Sequence, residues 1–220
     1  MLTLLSERGL HIDDFNEASG FLSRVSYYRL SGYFRHWQIN PGRGDNRFIP
    51  GSSFSTIQNL YNDEQTLIML LDEVLHPIEV LLRTQFAHHY AHRVEPTGVL
   101  EDLAESLKVS RKTLPSQVRS FVYLRNRVAH CAKLWNHSVL DNPGLSSTIA
   151  NRAKRTYRSF SNHSIYRILV ALDLIARNGG IADAWLSTKI EPILNDNPLL
   201  AAGIAQPAHF GDMDQTLLIP

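Results

Sequence analysis

The segment Phe121-Val-Tyr-Leu-Arg-Asn-Arg-Val-Ala-His130 brings two arginines, an asparagine and a histidine into one short stretch of chain. These side chains suit phosphate chemistry that needs no metal. A neutral imidazole at His130 can take the proton from a ribose 2′-hydroxyl, and an imidazolium can return one to a departing 5′-oxygen. The planar fork of Arg125 can hold a phosphate and stabilise charge that builds in the transition state. Asn126 can orient the histidine or the ribose. The segment reads as a helix running to about Trp135, with Leu124, Val128, Cys131 and Trp135 on one apolar face. On an ideal helix Asn126 and His130 share a face, whereas Arg125 and His130 diverge by roughly 140°. A second copy of the helix, facing the first across a two-fold axis, would gather two arginines and two histidines around one groove. Spacing alone is also that of a solvated helix face.

Other groups stand around this segment. Glu79 and Arg83 are four apart, as in an ordinary helical ion pair. They also suit a helix that packs against the Arg125–His130 segment and orients its polar groups, with Glu79 in support. Arg83, Arg127 and Lys133 are candidate RNA contacts beside the central motif. Arg29 is another, within the aromatic and basic run Tyr27, Tyr28, Arg29, Tyr33, Phe34, Arg35 and Trp37, which could stack single-stranded RNA or simply pack. Arg152 and Arg155 lie in Asn151-Arg-Ala-Lys-Arg-Thr-Tyr-Arg158, the densest basic patch, which reads as a phosphate surface or a solvated face. His88, His89 and His92 cluster late in a helical stretch, and His88 and His92 could share a metal, but no Glu follows as in the zinc-protease helix and the nearby supply of Cys and Asp is thin. Histidines at a helix end are the simpler reading, and no metal or cofactor is expected.

The elements that must carry these groups are helical. Asp13 or Asp14 caps a helix over 13–24, and 26–37 forms a second one, bent near Gly32. Residues 40–53, rich in Gly and Pro, read as a loop or short hairpin. Residues 54–62 and 64–93 give a broad apolar pattern that suggests a central buried helix, kinked or split at Pro77. Further helices are predicted over 99–108, from Pro115 to about Trp135, and over 145–158, 164–177 and 181–194. The tail, with Pro198, Pro207 and Gly211, reads as irregular. The expected organisation is an N-terminal helical extension with a loop over 1–60, a helical core over 61–195 and an irregular tail over 196–220.

Composition sets limits. The 220 residues are 44% hydrophobic and 20% charged, with a net charge of +1, so any RNA must be met by a local patch. The single cysteine, Cys131, cannot form an internal disulfide. No apolar run reaches the ~18 residues of a spanning helix, and charge arrives too early for a secretory leader. A cytoplasmic location with no membrane partner is expected.

Beyond these properties, Leu124-Arg-Asn-Arg-Val-Ala-His-Cys-Ala-Lys-Leu-Trp-Asn136 resembles the C-terminal motif of the Abi-like (abortive infection) proteins. That motif is Arg-Asn, a run ending in Ala-His, then Arg or Lys, Leu, Trp and Asn, often with a second His where Cys131 stands. Val25-Ser-Tyr-Tyr-Arg-Leu-Ser-Gly-Tyr-Phe34 resembles the N-terminal signature. Phe48-Ile-Pro-Gly-Ser-Ser-Phe54, Ile57-Gln-Asn-Leu-Tyr61 and Ile78-Glu-Val-Leu-Leu-Arg-Thr84 resemble features between them. One departure is Tyr61-Asn-Asp-Glu-Gln-Thr66, where the family has Tyr-x-Phe-Asp-Arg and the Asp-Arg pair is missing. The family lies in the HEPN superfamily, whose mark is Arg, four to six residues, then His. The resemblance implies an all-α, HEPN-type helical bundle and a homodimeric site. It implies metal-independent endoribonuclease activity leaving 2′,3′-cyclic phosphate and 5′-hydroxyl ends. Arg125, Asn126 and His130 would be the catalytic group, acting in phage defence or as a toxin, sometimes restrained by a small RNA or protein inhibitor. The alternative is a non-catalytic helical module that binds RNA or protein in such a system.

Overall fold

The computed structural model describes residues 1–92 and 98–219. It is all-α, with eleven α-helices and one two-stranded sheet among the described residues. Helix α1 spans Leu2–Glu7 and α2 spans Phe15–Val25, where the Asp14 carboxylate accepts from the N–H groups of Asn16 and Glu17 and so caps the helix. Helix α3 (Tyr27–Trp37) runs unbroken through Gly32, contrary to the expected bend, because Leu30, Tyr33, Phe34 and Trp37 are all drawn into the core. Strands β1 (Gln38–Asn40) and β2 (Asp45–Phe48) form the hairpin.

Helix α4, Phe54–Ala91, is a single helix capped by Ser53. Pro77 neither splits it nor ends it. An interior proline costs about 3 kcal/mol, but Val74, Leu75 and Ile78 on either side are buried and hold the helix in register. Helices α5 (Val99–Ser106) and α6 (Leu114–Ala129) pack on α4. Helix α7 covers Ser147–Thr156. Helix α8, Ile165–Asn178, is buried on nearly every side and packs against α4, α6 and α10, so it shares the centre of the bundle with α4. The expected helix over 181–194 is a π-helical turn, Leu186–Ile190, leading into α9, Glu191–Asp196.

The tail is not irregular. Pro198 starts α10 (Pro198–Ala205), and the Asn197 side chain accepts from the Leu200 N–H as its cap. Proline is pre-set for the first turn of a helix and breaks only later ones. Leu199, Leu200, Ile204 and Ala205 of α10 are buried. A last turn, α11 (Gln215–Leu218), ends where the Leu218 carbonyl accepts from Trp37 Nε1 at 2.8 Å. One apolar core therefore runs from Leu5 to Leu218. Among the described residues no helix is long and apolar enough to cross a membrane.

Candidate active site

Helix α6 ends at Ala129, six residues before the sequence reading stops it. His130 is its C-cap, and Cys131 follows in the left-handed region at φ 45°. The Cys131 N–H donates to Val128 O and the Ala132 N–H to Arg127 O, both at 2.8 Å. This pair of bonds is the Schellman closure, which normally recruits glycine at the position Cys131 occupies. Cys131 is exposed and does not lie on an apolar face. Cys131→Gly should therefore raise stability by about 1 kcal/mol by removing a strained Cβ. Thermal unfolding checks this, and a lower Tm would show that the strain is absorbed elsewhere.

Arg125, Asn126 and His130 are all exposed at this end of α6. Arg125 Nε lies 3.6 Å from Glu79 Oε2 on α4, and Arg83 donates to the other oxygen of Glu79 at 2.6 Å. One carboxylate thus holds two guanidinium groups from two helices. Arg125 also reaches the Asn126 carboxamide at 3.5 Å. Beside them runs a groove of about 360 Å³ between α4 and α6. Leu75, Ile78 and Phe121 form its apolar floor, and Glu79, Arg83, Arg125 and Asn126 form its polar lip. His130 keeps a near-helical backbone, with φ −92° and its N–H donating to Asn126 O at 3.1 Å, so the divergence from Arg125 expected on a helix still holds at the cap.

The segment after His130 is fastened from several sides. Arg29 of α3 donates to the Cys131 carbonyl, and Arg127 to the Lys133 carbonyl. Lys133 Nζ donates to Gly32 O at 2.9 Å and sits 5.2 Å from the ring centroids of both Tyr33 and Trp135. Burial pulls its ammonium pKa down to about 8, Arg127 adds to the shift, and Glu64 opposes it. Arg29, Arg127 and Lys133, expected as RNA contacts, are thus engaged within the fold.

The group that sequence reasoning missed is Glu64. It is fully buried, and its Oε1 accepts from the N–H groups of Leu134 (2.6 Å) and Trp135 (2.5 Å). Its other oxygen accepts from the Tyr33 hydroxyl. Burial pushes its pKa above the ordinary carboxylate range, while the Tyr33, Trp135 and Leu134 bonds pull the other way. A signal was present. Leu60, Glu64, Leu67 and Leu71 lie on one buried helical stripe, and a carboxylate on such a stripe must have partners. Glu64 also falls where the Asp of the family pattern Tyr-x-Phe-Asp-Arg would stand, so the acid of that pair has a counterpart and only the arginine is replaced, by Gln65.

The remaining candidates are separated from this centre or built into the core. Arg152 and Arg155 are exposed on α7 and do not line the groove. Arg158 of the same run is committed to a largely buried ion pair with Glu191 at 2.7 Å. Tyr33, Phe34 and Trp37 are core residues, so of the two readings of the aromatic run simple packing holds for them, although Tyr28 is exposed. His88 and His92 lie with ring centroids 4.5 Å apart, and His89 Nδ1 lies 4.0 Å from Asp102 Oδ2. Among the described residues no three His, Cys, Asp or Glu side chains converge as a metal site.

Two histidines near the fastened segment give a pH dependence. Burial, with Lys133 nearby, pulls His36 down to about 3, and burial, with Arg127 and Lys133, pulls His137 down to about 4. Both folded pKa values lie below the unfolded value of about 6.5, so the unfolded chain binds more protons across that window. Stability is complete above about pH 6.5 and falls as pH drops toward 4. The slope from the nearly inaccessible His36 alone is on the order of 1 kcal/mol per pH unit. Glu64, shifted upward, opposes the loss. Tm measured from pH 7 to 4 should fall, and His36→Gln should flatten the curve. An equal slope in the variant would remove His36 as the cause.

Residues 20–102 match the family model described as Abi-like protein. The matched span takes in α3, the hairpin, α4 and the start of α5, including Glu64, Glu79 and Arg83, and ends before Arg125 and His130. No curated protein and no solved structure gives a significant match. The family match supports placing the chain with the Abi-like proteins and points to an abortive-infection-type function.

Proposed function

We propose that the protein is a metal-independent endoribonuclease of the HEPN class, acting in abortive infection or as a toxin, with Arg125 and His130 as its reacting pair. The observation that carries this reading is the end of α6. There Arg125, Asn126 and His130 are presented to solvent, and Arg125 is paired with Glu79 at the lip of an open groove. An exposed guanidinium and an exposed imidazole are groups that phosphate transesterification uses.

In the proposed reaction, a neutral His130 imidazole removes the 2′-hydroxyl proton of the ribose. The 2′-oxygen bonds to phosphorus, and the bond from phosphorus to the 5′-oxygen breaks. An imidazolium donates the proton that the leaving oxygen needs, so the products are a 2′,3′-cyclic phosphate and a 5′-hydroxyl. Arg125 neutralises the non-bridging oxygens, and Asn126 orients the ribose. Two histidine roles are needed, and a second copy of the chain across the groove would supply the second. The apolar groove floor and exposed Val122 beside it suit such contact. Arg83, Arg152 and Arg155 are the proposed outer phosphate contacts.

The test is cleavage of total cellular RNA by purified protein in EDTA, with the ends mapped. Chelator-resistant cutting that leaves cyclic phosphates supports the reading. Folded protein that cuts no RNA, yet binds it with an affinity falling steeply in salt, would replace the enzyme with a binding module.

A further inference from the structure

We infer that Glu64 is the positioning residue of the site: it ends α6 at His130, turns the following chain back, and so sets the surroundings of the imidazole. This rests on the functional reading above, since it concerns the presentation of His130.

Three observations converge. First, the amides of Leu134 and Trp135 would be helical donors to His130 and Cys131 if α6 continued, and the apolar spacing of Cys131 and Trp135 favours that continuation. Both amides are instead captured by one buried Glu64 oxygen. Second, the chain turns back at a non-glycine residue in the left-handed region, a conformation that persists only when the surroundings impose it. Third, the supports reach this turn from α3 and α4, elements remote in sequence. Arg29 holds the Cys131 carbonyl, Gly32 holds Lys133, and Tyr33 fixes the second oxygen of Glu64. Glu64 is the hub because it alone satisfies two backbone donors and is itself oriented by a side chain. Without an acceptor at 64, the two amides regain partners most simply by extending α6 through residues 131–135. His130, whose own N–H is already bonded to Asn126 O as in a helix, would then be followed by a further helical turn in place of the chain that turns back, and the space open to its ring would change.

The prediction separates positioning from general stability. Glu64→Gln keeps an oxygen for both amides, and its NH2 can donate to the Tyr33 oxygen. Glu64→Leu removes the acceptor at similar volume. Leu71→Ala, two turns further along the same buried stripe, lowers stability without touching the turn. Glu64→Leu should lower kcat about 100-fold, the scale of a 1 Å misplacement, with little change in KM. Glu64→Gln should recover most of that rate, and Leu71→Ala should keep the wild-type kcat at temperatures where it is folded. Cys131, the single thiol and exposed at the turn, gives a reading that needs no nuclease activity. Its rate of labelling by a soluble disulfide reagent should change in Glu64→Leu and match wild type in Glu64→Gln and Leu71→Ala. A folded Glu64→Leu with wild-type kcat and wild-type labelling overturns the inference, as does an equal loss in Glu64→Gln. A wild type that cuts no RNA removes the functional reading alone, and the labelling series then decides the anchor.

Discussion

His130→Ala should lower the rate of RNA cleavage by about 10²–10⁴-fold, the span that positioned proton transfer contributes, while the protein stays folded. The expectation of an intact fold follows from how the residue is held. His130 caps α6 through its backbone, whose N–H donates to Asn126 O at 3.1 Å, and that bond does not depend on the side chain. The ring is exposed, so its removal opens no cavity, and loss of a side chain near a helix C-terminus costs under about 1 kcal/mol. Activity and stability should therefore separate cleanly. The measurement is a single-turnover rate on a defined single-stranded RNA, beside a thermal melt. A folded His130→Ala that cuts at the wild-type rate sinks the proposed mechanism. Loss of both rate and fold would instead move His130 from chemistry to structure.

Gly203→Ala should produce the largest loss of stability from a single methyl group, about 1–3 kcal/mol, because it overpacks a site that cannot yield. A Cβ at Gly203 would stand 2.4 Å from Cδ1 and Nε1 of Trp135 and 2.9 Å from the Asn136 nitrogen. The Trp135 ring has nowhere to go. It is fully buried, stacks on Tyr33 at 6.1 Å and on Trp37 at 5.6 Å, and its Nε1 donates to Leu199 O at 2.9 Å. The Asn136 N–H donates to Gly203 O, so moving α10 away breaks a second bond. Denaturant unfolding would read the effect as a lower midpoint with an unchanged m-value. A neutral result would mean that α10 can slide, and that the tail contributes little to holding the segment after His130.

Several features were legible in the chain because local chemistry sets them. The Asp14 cap, the Gly and Pro around the hairpin, and the spacing of α5 and α8 all act within a few residues. So does the Glu79–Arg83 pair, which sits four apart on one helix. The errors share a cause. Prolines at 77 and 198 and glycine at 32 were read by their local habit, and in each case burial of neighbouring side chains or the position within the helix decided otherwise.

By itself, the sequence determined that the protein is helical, that Arg125, Asn126 and His130 share one short segment, and that nothing in its composition favours diffuse binding to RNA. The tertiary structure alone decided where α6 stops, because the residues that stop it are far away in the chain. Apolar spacing carried the helix on to Trp135, and no glycine or proline after His130 said otherwise. The end is set by Glu64 taking two amide protons and Arg29 taking a carbonyl, across 70 and 102 residues of sequence. Periodicity reports which face of a helix is buried, but the partner that captures a backbone donor can be seen only once the chain has folded.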